Sequence, residues 1–144
     1  MGAPVVHFEI TTRNAKQIQD FYTSLFDWKI DSNNPIGYGL VKPGGKRGID
    51  GGIAQKRDET TPGVTFYAEV DDPQAALDKA VSMGARVVLP VTAITNMVTY
   101  ALFADPDGNV VGVVKNEPRP STRKPRKSST KRKTSRGRRK KGRR

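Results

Sequence analysis

Cysteine is absent from the 144 residues. No disulfide staples this chain, and thiolate-bound zinc, iron–sulfur clusters and thiol nucleophiles are excluded with it. Histidine is almost absent: His7 is the single imidazole. Long apolar runs are missing too. The longest span about five residues, as in Tyr100–Ala104, against the roughly 20 that a membrane-crossing helix needs. No basic start followed by a long apolar stretch opens the chain, so no secretory signal is expected. Met1-Gly2 begins like a myristoylation site, but the sixth position is Val6 rather than Ser or Thr. A cytoplasmic protein is expected.

Acidic and apolar residues are missing from one end. Residues 116–144 hold 15 Lys+Arg and a single acid, Glu117, for a net charge of +14. They contain no member of the apolar set. Residues 1–115 hold 11 Lys+Arg against 13 Asp+Glu, a net charge of −2. The reading is one near-neutral domain over 1–115, large enough for its own core, and a tail over 116–144. Without apolar side chains the tail cannot offset its ordering entropy, so it is expected to be disordered.

Within the domain, Val6, Phe8 and Ile10 alternate with His7, Glu9 and Thr11, which is the period of a half-buried strand. Ile18, Phe21, Tyr22, Leu25 and Phe26 then recur as one helical stripe over about 14–26, capped by Thr12 or Asn14. Short strands follow at Trp28–Ile30, Tyr38–Val41 and Ile49–Ala54, and a polar linker at Gln55–Pro62. The pattern restarts with the alternating strand Val64–Val70. Asp71-Asp72-Pro73 starts a second helix, with Ala76, Leu77, Ala80, Val81 and Met83 as its apolar face and Gly84 as its stop. Strands at Val87–Val91, Val98–Ala104 and Val110–Val114 complete the domain. Asp105-Pro106-Asp107-Gly108-Asn109 is a tight turn between the last two.

The order βαβββ thus occurs twice, about 58 residues apart. The predicted fold is α+β, a curved mixed sheet with both helices on its outer face. The opposite, concave side then carries His7, Glu9, Thr65, Tyr67 and Glu69, and concave surfaces with convergent polar groups are where ligands sit. Tyr100 is a further aromatic suited to line such a space. Trp28 is read as a cover for the first helix. Gly51-Gly52 either admits a ligand close to the backbone or marks a bulge.

His7-Phe8-Glu9-Ile10, Asp20-Phe21-Tyr22 through Phe26-Asp27-Trp28, Tyr67-Ala68-Glu69-Val70-Asp71-Asp72 and Phe103-Ala104-Asp105-Pro106-Asp107-Gly108-Asn109 resemble the vicinal oxygen chelate superfamily. It takes in glyoxalase, bleomycin-resistance proteins and dioxygenases. The resemblance covers about residues 4–115 and is nearest to its small glyoxalase-like members. It implies a divalent metal held on the concave face by His or Glu at four places, the first and last strand of each half. His7 matches the first of these, and Thr65 takes the corresponding place in the second half. Gly112 takes the last-strand place of the second half, and Asp50 is the candidate in the last strand of the first. One clear ligand of four points to a small-molecule-binding domain without the complete metal site, so no cofactor is expected. The alternative is a metal-dependent lyase or dioxygenase using His7. The ligand pocket is read as His7, Glu9, Thr65, Tyr67, Glu69 and Gly112. The resemblance also implies a homodimer.

The tail resembles the Lys/Arg/Ser/Pro tails of histone-like proteins. Its expected partner is DNA or RNA, held through phosphates by Lys131, Arg132, Lys133, Arg136, Arg138, Arg139, Lys140, Lys141, Arg143 and Arg144. No aromatic is available for base stacking, and no apolar anchor accompanies the charge for a membrane. Nucleoid or nuclear association would follow. A dimeric nucleic-acid-associated scaffold is the third reading.

Overall fold

The computed structural model describes residues 2–56 and 63–117. Its elements run β1 (Val5–Thr12), α1 (Ala15–Phe26), β2 (Lys29–Asp31), β3 (Gly39–Lys42), β4 (Asp50–Gln55), β5 (Gly63–Glu69), α2 (Pro73–Ser82), β6 (Arg86–Ile94), β7 (Val98–Ala104) and β8 (Val110–Asn116). The predicted double βαβββ order is therefore present. All eight strands join one mixed sheet in the order β2-β3-β4-β1-β5-β8-β7-β6. Each half closes with its first and last strands parallel, β1 on β4 and β5 on β8. The halves meet where β1 runs antiparallel to β5.

The repeat is visible at atomic detail. Asn14 and Asp72, 58 residues apart, are the two helix N-caps. Asn14 accepts from the Gln17 amide, and Asp72 from the amides of Gln74 and Ala75. Phe8, which the same offset maps onto Phe66, is also its cross-strand partner. A pseudo-twofold axis therefore passes between these two rings. Gly84, with φ of +99°, provides the left-handed turn that ends the second helical segment, as expected of glycine there.

Strand pairing sorts the sheet into two faces. Phe8, Ile10, Ile53, Val41, Phe66, Ala101 and Val113 share one face, and both helices lie against it. Val41 and Ile53 are fully buried beneath α1. Leu77 of α2 packs on Ala101 and Val113, with Val91 and Phe103 at the margin. His7, Glu9, Thr65, Tyr67, Gly112 and Val114 share the other face. No helix covers that face among the described residues, yet Tyr67 and Val114 are each only 6% exposed. Neighbouring strands must supply that cover, as a curled sheet does.

One helix departs from its pattern. The stripe Ile18, Phe21, Tyr22, Leu25 and Phe26 does not face the sheet as a unit. The buried residues of α1 are Ala15 and Gln19, while Phe21 and Leu25 are 54% and 56% exposed. Two contacts set this rotation. The Gln55 side chain, at the end of β4, accepts from the Ala15 amide at 2.9 Å and donates to the Arg13 carbonyl at 2.6 Å. Gln19 also lies over Gly39, where a Cβ would collide with it. Tyr22 and Phe26 are left to pack on Trp28, with ring centroids 5.4 and 5.1 Å away, and Phe8 meets Trp28 from the sheet at 5.4 Å. Trp28 therefore covers the first helix as predicted. In α2, Met83 falls beyond the helix and is exposed.

The turn after β7 forms as read. Asp105 accepts from the amides of Asp107 and Asn109 and from the Asn109 side chain. The Asn109 side chain, first among these donors, holds the Asp105 carboxyl below its ordinary pKa. The domain runs slightly past residue 115: β8 reaches Asn116, and the Glu117 side chain accepts from Thr99 at 3.1 Å. The rest of the predicted tail, with all ten of its named cations, lies outside the described residues, as does most of the linker. No described helix is long and apolar enough to cross a membrane.

Candidate functional site

The concave face gathers its polar groups at the junction of the two halves. His7 and Glu9 project there from β1. Tyr38 reaches the same place from just before β3, and Tyr67 from β5. The Tyr38 hydroxyl donates to Glu9 Oε2 at 2.9 Å, and the Tyr67 hydroxyl lies 3.3 Å from Glu9 Oε1. His7 Nε2 lies 2.9 Å from the Tyr38 hydroxyl. That hydroxyl has one proton, and it points at Glu9. Its oxygen must then accept from His7, which selects the Nε2–H tautomer. A string His7–Tyr38–Glu9–Tyr67 results. With Glu9 protonated, its carboxyl can donate to the Tyr38 oxygen and the Tyr38 proton can turn to His7 Nε2. That arrangement needs the Nδ1–H tautomer of His7, so a proton moves along the string only if Nδ1 exchanges one as well.

The electrostatics follow from burial. Glu9 has its pKa raised by desolvation, which outweighs the two phenol hydrogen bonds that favour its charge. His7 has its pKa lowered by desolvation, opposed by the carboxylate of Asp50 and helped by Lys42. The imidazole is therefore neutral at pH 7. Tyr38 and Tyr67 are both pushed far up by burial and then by the negative charge of Glu9, so both stay protonated donors. Tyr100 is raised by the same two causes and packs edge-on against Tyr67 at 6.3 Å. The Tyr67 ring also stands edge-on to His7 at 5.8 Å.

Two glycines make room for this arrangement. Gly112 lies beside Tyr67 across the β5–β8 pair, and a Cβ at Gly112 would overlap the Tyr67 ring. Gly52 lies beside Glu9 on β4, and a Cβ there would overlap the Tyr38 hydroxyl and ring. Gly51 is tucked under Phe8 on the opposite face. No bulge occurs at Gly51-Gly52, since the register of β4 on β1 runs unbroken from Asp50 to Gln55. The pair seats two aromatic rings, one on each side of the sheet.

Of the pocket residues named from sequence, His7, Glu9, Tyr67 and Gly112 come together. Thr65 is the cross-strand partner of Glu9. Glu69 shares the face, one step further along β5, beside Val114. Asp50 is the strand partner of His7 but is exposed and ion-paired with Lys42. Tyr38 was missed, although it holds the centre of the string. Its signal was the glycine opposite: a glycine in a strand leaves a hole that a neighbouring aromatic fills.

Four observations bear on the metal that the resemblance implies. His7 Nε2 is engaged by Tyr38, and Asp50 by Lys42. Thr65 offers only a hydroxyl. The Tyr67 ring occupies the space into which a side chain at position 112 would grow. Among the described residues, no three His, Cys, Asp or Glu side chains are grouped to hold a metal ion.

Residues 5–113 match the model of the Glyoxalase/Bleomycin resistance protein/Dioxygenase superfamily. A protein named "Putative glyoxylase CFP32", from Mycobacterium bovis and Mycobacterium tuberculosis, is 31% identical over 113 residues. The match takes in 73% of this chain and 42% of that protein, so the chain spans less than half the length of these curated relatives. Two solved structures share the fold. One is a glyoxalase/bleomycin resistance protein/dioxygenase superfamily member from Vibrio splendidus, with a TM-score of 0.55 and 17% identity over 80% of this chain and 100% of that one. The other is methylmalonyl-CoA epimerase from Mycobacterium tuberculosis, with a TM-score of 0.58 and 16% identity over 79% of this chain and 88% of that one. The chain belongs to the Glyoxalase/Bleomycin resistance protein/Dioxygenase superfamily.

Proposed function

We propose that this member of the superfamily binds a small organic molecule on its concave face without using a metal ion, and that its basic tail attaches it to nucleic acid. The observation that carries the first part is the string His7–Tyr38–Glu9–Tyr67. It offers a neutral imidazole, two phenols and a carboxylate to one spot on a half-buried, aromatic-walled surface. Such convergence of a few polar groups on an apolar wall is what fixes a ligand's orientation. The donor set does not fit the divalent metal: His7 and Asp50 already have partners, and tyrosine rings fill the space at Gly52 and Gly112. Binding and any proton movement therefore rest on the chain's own groups. Tyr38 positions Glu9 and His7, and Glu9 is the group placed to take or give a proton.

The tail part rests on composition. Fifteen cations with no aromatic and no apolar residue suit contacts to phosphate that carry no base information.

A fragment set is screened against the full chain by NMR of labelled His and Tyr rings. The expected result is that at least one fragment shifts the His7, Tyr38 and Tyr67 signals together, and that Tyr38→Phe weakens it several-fold. A folded protein whose concave-face rings respond to nothing would overturn the reading. For the tail, duplex affinity is measured at two salt concentrations. A protein making 6–10 phosphate contacts loses about 10³–10⁵ in affinity between 50 and 200 mM salt. An affinity flat with salt, or one that depends on sequence, contradicts the proposal.

A further inference from the structure

Glu9 is a half-buried carboxylate with no cation beside it. Among the described residues its partners are two phenol hydroxyls, and no Lys, Arg or His ion pair reaches it. Lys42, which shares this face of the sheet, is taken by Asp50. A buried carboxylate is ordinarily paired with a positive group. An ionised carboxylate accepts about four hydrogen bonds, and Glu9 receives two from protein side chains. Around it stand the rings of Tyr38, Tyr67 and Tyr100. The first two are bound to Glu9 through their hydroxyls, and Tyr100 packs edge-on against Tyr67 at 6.3 Å. Aromatic surface beside a carboxylate with no cationic partner is a combination that suits an organic cation. No helix covers this side of the sheet among the described residues.

We propose that Glu9, Tyr38, Tyr67 and Tyr100 form a cation site that takes the ammonium end of a small organic ligand. This deepens the ligand-binding reading above and rests on it. The carboxylate supplies the counter-charge, and the rings supply a weakly hydrated wall. The missing partner of Glu9 is then the ligand itself. Neutral and anionic molecules of the same shape are disfavoured, because each leaves the carboxylate buried without its complement.

The test uses the full chain, labelled at Tyr rings, with tetramethylammonium chloride as the probe. Ionic strength is held constant with sodium chloride, and tert-butanol serves as the neutral comparison. The expected result is a saturable shift of the Tyr38, Tyr67 and Tyr100 signals with tetramethylammonium, at least tenfold weaker with tert-butanol. Glu9→Gln, which keeps the shape and removes the charge, is expected to weaken tetramethylammonium binding tenfold or more. The comparison of the two probes on the unaltered protein needs no variant, so misfolding of Glu9→Gln does not decide the matter. Equal binding of both probes overturns the proposal. A neutral or anionic fragment that shifts the same rings, with tetramethylammonium inert, overturns it while leaving the ligand-binding reading intact. Rings that respond to no molecule overturn both. The chain's own Lys and Arg in 118–144 carry the same chemistry. If Glu9→Gln moves their side-chain signals in the absence of any added cation, the tail and not a small ligand fills the site, and the proposal is overturned.

Discussion

On the concave side, β1 carries His7 and Glu9, while the places 58 residues later on β5 carry Thr65 and Tyr67. On the helix side the same offset joins like to like: Phe8 with Phe66, and the cap Asn14 with the cap Asp72. The two halves thus keep their resemblance where β1 meets β5 on the helix side and at the two helix starts, and lose it on the concave face. There one half supplies the ionisable pair and the other a phenol. The site exists only because β1 and β5 are neighbours. Even the bracing is unequal. The first half covers its last-strand glycine with Tyr38, brought from the approach to β3. The second covers Gly112 with Tyr67 of its own first strand.

The largest effects test whether the halves are one unit. Ile53→Ala and Leu77→Ala each empty a buried position of a different half and are expected to destabilise by about 2–5 kcal/mol. Trp28 sits in the first half only. Joined through β1 and β5, both variants lower the urea midpoint seen by Trp28 fluorescence and by circular dichroism equally. A Leu77→Ala protein that unfolds in two steps, with Trp28 reporting only the second, breaks the comparison.

Next come the two seated tyrosines. Gly52→Ala and Gly112→Ala overpack their sites and are expected to cost about 1–3 kcal/mol each. The collision at 112 is with the base of the Tyr67 ring, and the one at 52 is led by the Tyr38 hydroxyl. Gly112→Ala therefore costs more, and Tyr38→Phe relieves part of the Gly52→Ala loss. Thermal melts of the single and paired variants check both statements. The caps give a smaller contrast. Asp72→Ala removes two amide acceptor bonds and Asn14→Ala one, within about 0.5–2 kcal/mol, with Asp72 the larger. The smallest effect is at the concave edge. Lys42 and Asp50 are an exposed pair, and a double-mutant cycle is expected to show at most about 1 kcal/mol. A larger coupling energy would mean that the pair supports His7.

Local signals carried much of this fold. Alternation at Val6–Thr11, the Asp72-Pro73 helix start and the Asp105–Asn109 turn each act within a few residues, and each element formed where it was expected. The predicted strand ends moved by at most three residues, and Val98–Ala104 not at all. The rotation of α1 was not legible, because it depends on Gln55 and Gly39, 40 and 24 residues away from Ala15. The same holds for the site. His7, Glu9 and Tyr67 follow from strand parity alone, since odd positions of β1 and β5 share a face. Tyr38 requires the register of β3 on β4, which no local pattern encodes. Asp50 was named as the candidate in the last strand of the first half; it does pair with His7 across β1 and β4, but Lys42 has the carboxylate.

The seating of Tyr67 on Gly112 and of Tyr38 on Gly52 also constrains which neighbouring sequences are open to this protein. A carboxylate at either glycine is one substitution away on paper. In the folded chain that substitution meets an aromatic ring, so the tyrosine has to change first, and losing it strips a hydrogen bond from Glu9. The path toward a ligand-bearing last strand thus descends through a protein less stable than either end. Small adjustments are filtered out, and only paired changes cross. The concave face is held in its present chemistry by the order in which its residues can be exchanged.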